Sequence, residues 1–495
     1  MPIPTKPTVK KIGQANNDST TGLKDVYWQY GKFDDTLSIT NTASGAVGLE
    51  ESRIDLGAGD DKLTVKVGGD GLKLSRVESA GGNNLFDLSG YAGATNSTLT
   101  IGAGHDTYRI TGNSSYGISG GSLTDKGGNN LFEITGPAGG IYDSVLSIGA
   151  GHDTYTVFTN SSGSAFSGIK LTDLGGNNLF DLRGTSSGIG SSTLTIGAGN
   201  DIYAITDRSD SGIGIKGSSL TDNGGNNLFE ITGRRGVENS ALTIGAGNDT
   251  YTITGTREYG ISGGSLTDKG GNNLFEITGS EGGIHNSVLS IGAGHDTYTV
   301  SSNSSGSAFD GVTLTDLGGN NLFEISGGTG GIKDSVLSIG AGNDTYVITG
   351  MIDSSLTDKG GNNLFDISGG TGNSTFSSGT GNDTYTAIAD GSYSILAGVK
   401  LTDLGGNNLF NFSAGKGAGD CTFSSGTGND TYTITATNKY GISGGKLTDS
   451  GGHNLFEITG GTNGAENTSL TASATKGNDT WRITGENSYG LESVT

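Results

Sequence analysis

The chain has 495 residues, of which 94 are glycine and only 31% are apolar, and its 50 acidic against 28 basic residues leave a net charge of −22. This balance excludes nucleic acid and anionic membrane as main partners, since both need clustered Lys and Arg, and it favours cations. It also excludes a set of ordinary globular cores, while evenly spaced aromatic and β-branched residues exclude simple disorder.

The N-terminus, MPIPTKPTVKK, lacks the apolar run of a cleaved signal peptide, and no stretch approaches the ~20 apolar residues of a membrane helix. Residues 1–50, with Tyr27, Trp28 and Tyr30 ahead of FDDTLSIT, read as an N-terminal cap and a degenerate first coil. Over residues 51–484 two phrases alternate. The first, LTDxGGNNLF[ED]I, sets its second Asn at Asn84, Asn130, Asn178, Asn227, Asn273, Asn321, Asn363, Asn408 and Asn454. The second, L[TS]IGAG[NH]DTYxI, sets its Asp at Asp61, Asp106, Asp153, Asp201, Asp249, Asp296, Asp344, Asp383, Asp430 and Asp479, with a faint forerunner at Asp35. Residues 485–495 parallel the stretch 112–124 and read as a partial coil.

Aligned without gaps, the phrases are variants of one unit: a short strand, a Gly-rich turn and a strand of alternating polarity. That period predicts an all-β fold, a single elongated parallel β-solenoid of about 20 coils stacked at ~4.8 Å, roughly 95 Å long. In TYTIT the two-residue period points Tyr251 and Ile253 inward and Thr250, Thr252 and Thr254 outward. The equivalent inward column alternates Phe and Tyr from Phe86 and Tyr108 to Phe456, ends at Trp481, and supplies the core. The single cysteine, Cys421, excludes an internal disulfide framework. Stacked Asp residues would repel unless a cation or a donor intervenes, and alternation with Asn supplies a donor at every second level. A metal-free ladder and a cation column both satisfy this pattern.

GAGNDTY and its relatives resemble the GGxGxDxUx nonapeptide of RTX (hemolysin-type) calcium-binding repeats over roughly residues 54–484. The resemblance implies Ca²⁺ held between coils by turn carbonyls and by the second-phrase aspartates, Asp61 to Asp479. The first phrase adds an acid at its turn entrance: Asp125, Asp173, Asp222, Asp268, Asp316, Asp358, Asp403 and Asp449. These could lend a second carboxylate or cap turn amides. Two departures from the family stand out: one motif falls in each coil instead of two nonamers, and half of the motifs carry Asn for Asp.

Catalytic signatures are weak. GISGG, at 117, 260 and 441, satisfies G-x-S-x-G formally but recurs in the linker between coils without His and acid partners. His105, His152, His295 and His453 each replace an Asn of the repeat. The break in regularity at 350–383 brings no basic cluster, and Thr-x-Thr rows suited to ordering water are interrupted at every second coil. The expected protein is therefore not an enzyme. It is a secreted or cell-surface structural repeat protein, calcium-stabilised and exported by a type I-like route as the RTX resemblance implies. Its expected partners are other copies of itself, end to end or laterally, and surface glycans. A calcium-binding spacer of an adhesin is the alternative, and a polysaccharide-active β-helix enzyme a more distant one.

Overall fold

A computed structural model describes residues 8–11, 17–20, 22–389, 396–473 and 477–492. Among these residues there are strands and turns and no helix. The chain divides into two compact units, Met1–Thr256 and Arg257–Thr495, and each is a parallel β-solenoid.

One coil of the first unit shows the plan. Strand Ser219–Asp222 lies on a first face, Leu228–Gly233 on a second and Arg235–Glu238 on a third. The next coil repeats the first two faces with Ala241–Ile244 and Thr250–Gly255, paired in parallel so that Phe229 lies beside Tyr251 and Ile231 beside Ile253. First-face strands number eleven in the first unit, from Thr8–Lys11 to Ala241–Ile244, and ten in the second, from Ser265–Asp268 to Ser469–Ala472. The expected parallel solenoid of about 20 coils is thus present. The linker expected between coils is itself the third strand. It is only two to four residues long, and its inward Ile141, Ile189, Ile215 and Val237 close the core.

Inward positions on the second face carry the aromatic column. In the first unit the rings from Phe86 to Tyr251 stack nearly parallel with centroids 4.6–5.2 Å apart. In the second the column runs from Phe275 to Phe456, and Trp481 lies 3.7 Å beyond. Tyr251 and Ile253 are fully buried and Thr250, Thr252 and Thr254 lie outside, as the two-residue period predicts. Each stacked pair adds about 0.5–1.5 kcal/mol beyond its burial.

The corners are set by special backbone. Between the first and second faces, Gly128 has φ +122°, and a Cβ there would stand 1.7 Å from the carbonyl oxygen of Gly104 on the preceding coil. Only glycine lets consecutive turns approach so closely. Between the third face and the next coil, one residue adopts the left-handed conformation: Asn96, Asp143, Ser191 and Asn239, alternating with Gly120, Gly168 and Gly217. A buried Ser often follows, as at Ser97, whose hydroxyl donates to Thr95 O (2.8 Å) and accepts the Ser75 amide of the preceding coil (3.1 Å).

The segment expected as an N-terminal cap is built like the rest. Thr8–Lys11, Asn17–Thr20, Leu23–Lys24, Val26–Gln29, Thr36–Ser44 and Leu49–Glu50 contribute to all three faces. At the other end, Leu491–Glu492 pairs with Ala465–Glu466 on the third face. The shortened stretch 350–383 keeps the three-strand plan, with Met351–Ile352, Ser355–Asp358 and Leu364–Ser368 as consecutive strands.

Candidate functional site

The turn between the first and second faces carries two adjacent polar residues, and their side chains point opposite ways. The inner one is the Asn or Asp of the repeat and is buried from Asp35 to Asn454. Its backbone amide donates to the inner side chain of the following coil: Asn84 to Asp106 Oδ1 (2.7 Å), Asp106 to Asn130 Oδ1 (3.0 Å), Asn130 to Asp153 Oδ1 (2.8 Å). The same bonds recur in the second unit, from Asn273 to Asp296 Oδ1 and onward to Asn454 and Asp479 Oδ1. The faint forerunner Asp35 joins in through Asp61 Oδ1 (2.8 Å).

The outer residue runs a second ladder in the reverse direction. The His105 amide donates to Asn83 Oδ1 of the preceding coil (2.8 Å), and the Asn129 amide donates to His105 Nδ1 (2.9 Å). His152, His295 and His453 accept in the same way from Asn177, Asn320 and Asn478. The four histidines are therefore turn residues interchangeable with Asn, because Nδ1 stands where Oδ1 would.

The acids of the first phrase lie elsewhere. Asp125, Asp173, Asp222, Asp268, Asp316, Asp358, Asp403 and Asp449 lie at or within two residues of the ends of the first-face strands and point inward, all buried. Each described pair joins a tyrosine of the preceding coil: Tyr108 OH donates to Asp125 Oδ2 (2.6 Å), Tyr155 to Asp173 (2.7 Å), Tyr203 to Asp222 (2.6 Å), Tyr298 to Asp316 (2.7 Å) and Tyr346 to Asp358 (2.6 Å). The other oxygen accepts a turn amide, as Asp125 Oδ1 does from Gly127 (2.8 Å). Where the first face reads TFSS, a serine joins the pair: Ser378 bonds the Tyr385 hydroxyl and Asp403 Oδ2, which Tyr385 also reaches directly (3.1 Å), and Ser425 accepts from Tyr432 at 2.5 Å and donates to Asp449 at 2.8 Å. The Phe/Tyr alternation of the second face is thereby locked to the Asp/Ile alternation of the first.

The second-phrase aspartates are left with one unmet need. Oδ2 is buried without a hydrogen-bond partner at Asp61, Asp106, Asp153, Asp201, Asp296, Asp344, Asp383 and Asp430. Asn84, at the equivalent position, fills the same role with a donor, its Nδ2 bonding Gly82 O (3.0 Å) and Asp106 Oδ1 (2.8 Å). Burial first, and then the facing Asp125 carboxylate, pushes Asp106 up to about 7; Asp153 also rises to about 7, and Asp201 and Asp344 to about 8. The Tyr-bonded acids are raised as well, by burial, against the opposing pull of the tyrosine hydroxyl and turn amide. A proton shared within a facing carboxyl pair would answer the orphaned oxygen and remove one of two buried like charges.

Ca²⁺ would need six to eight oxygens at about 2.4 Å. Turn carbonyls are already engaged, since Gly127 O accepts the Gly104 amide and Ala150 O the Gly128 amide. Oδ1 of the inner aspartate holds an amide, and both oxygens of the first-phrase acid hold donors. Among the described residues no group of three or more His, Cys, Asp or Glu is arranged around a common point. The donor set does not fit a calcium ion between coils. Asp479 is half-buried, and the other nine second-phrase aspartates are buried with the inner ladder.

Outside, the acidic column of the second face is partly neutralised by neighbours: Lys66 with Asp87, Arg109 with Glu133 and Arg482 with Glu457. Comparison with protein-family models, curated proteins and solved structures returned no match to this chain.

Proposed function

We propose that the chain is an extracellular or cell-surface structural protein whose coils are interchangeable building blocks. One observation carries this reading: the coil-to-coil contacts repeat residue for residue, so that rings, inner Asx residues and Tyr–Asp pairs invest nearly every buried group in stacking. A stack of parallel coils presents unpaired amides and carbonyls on any coil with a neighbour on one side only, which is the chemistry of end-to-end addition. The extracellular placement rests on the RTX resemblance. Calcium belongs to that same resemblance and finds no support in the donor set, which favours protons and amides in its place.

Sedimentation and negative-stain microscopy over a concentration series test the assembly. Filaments or a lattice growing with concentration are the expected outcome. A particle of constant mass at all concentrations contradicts it and leaves the adhesin spacer as the better reading.

A further inference from the structure

We propose that a cleft on the second face of the first unit, lined by Thr156, Phe158, Asp181, Arg183 and Arg208, is a binding site for an acidic saccharide. The cleft has a volume of about 380 Å³, in the range of small-ligand sites. It arises from a local break in the repeat. The outermost outward position of this face is Ser89, Thr111 and Thr135 on the coils before, and Thr206, Thr232 and Thr254 on those after. Between them stand Phe158 and Arg183, side by side on adjacent strands.

Each wall offers a different chemistry. Phe158 is half-buried and supplies an apolar surface for the C–H face of a sugar ring. Asp181 and Arg183 form a two-bond ion pair (2.7 and 2.8 Å) that pre-sets an acceptor and donors for ring hydroxyls. Arg208 is exposed and anchored through its amide to Gly184 O (2.8 Å), and its guanidinium has no ion-pair partner among the described residues. In a chain of net charge −22, an unpaired arginine beside a ring and a hydrogen-bonding pair selects a carboxylate carried on a sugar. A uronate oligomer meets all three walls, whereas an acidic peptide has no ring face for Phe158.

The proposal deepens the surface-glycan partnership and is independent of assembly, since filaments can form whether or not the cleft is filled. Titration calorimetry with tetragalacturonate, neutral tetragalactose and a tetraglutamate peptide tests it on the full chain. The triple variant Phe158→Thr, Arg183→Thr, Arg208→Thr removes all three walls, its first two changes restoring the Thr that neighbouring coils carry in that column, and an unchanged melting temperature shows that it folds. The expected result is saturable binding of the uronate, at least tenfold weaker binding of the neutral sugar and the peptide, and at least tenfold loss in the variant. No uronate binding, equal binding of the neutral sugar, equal or tighter binding of the peptide, or full retention in the variant each overturns it.

Discussion

At the scale of single residues, the recurring event is a buried carboxyl group resolved by a neighbour one coil away. Tyr203 OH is held by Asp222 at 2.6 Å with both residues fully buried. Tyr203→Phe keeps the ring stack and strands the acid, so urea unfolding should show a loss of about 1–3 kcal/mol; an unchanged midpoint would mean the pair contributes nothing. The second-phrase aspartates give a pH dependence. Burial raises Asp106, Asp153 and Asp201 from the ordinary value of 3.8 to about 7 or 8, so the folded state holds protons that the unfolded chain has released. Their contribution is full below pH 4 and is lost as pH rises through about 7 to 8. Melting temperature in chelator should therefore fall between pH 4 and pH 8. The triple variant Asp106→Asn, Asp153→Asn, Asp201→Asn should fall less, because Asn is what alternate coils already carry there. A slope identical to the parent would refer the pH effect to surface repulsion alone.

At the scale of elements, the strands, the alternating turn and the inward ring column were legible, because a period of two within a strand and a near-constant step between coils leave little freedom. The third strand was not. Pieces such as Ser187–Gly190 are four residues long and half glycine, below what alternation can identify. The roles of the aspartates stayed open for a related reason: a turn rich in glycine, Asn and Asp looks alike whether its oxygens meet a cation or amides of the next coil. A signal for the second case was present in the sequence, since Tyr in one coil is followed by Asp at the end of the next coil's first-face strand, and Phe by Ile. The clearest corner to test is Ser191, which sits at φ +48° where neighbouring coils place Gly168 and Gly217. Ser191→Gly should stabilise the first unit by about 0.5–1 kcal/mol. A loss of stability would show that the Ser side chain is itself needed at the corner.

At the scale of the whole molecule, both units reach order with one cysteine, 31% apolar residues and an excess of acid. Ring stacking and three sets of ladders replace the conventional core, and their need for identical neighbours explains why the repeat is kept so closely. Such a chain gains stability per added coil, as one-dimensional stacks do. Amides, hydroxyls and protons of the chain itself satisfy the buried Asp and Asn columns in this reading. Thermal melting at neutral pH in excess EGTA and in excess Ca²⁺ tests it most directly. Melting temperatures within about 2 °C of each other are expected; a collapse of the fold in EGTA that calcium restores would refute a metal-free ladder.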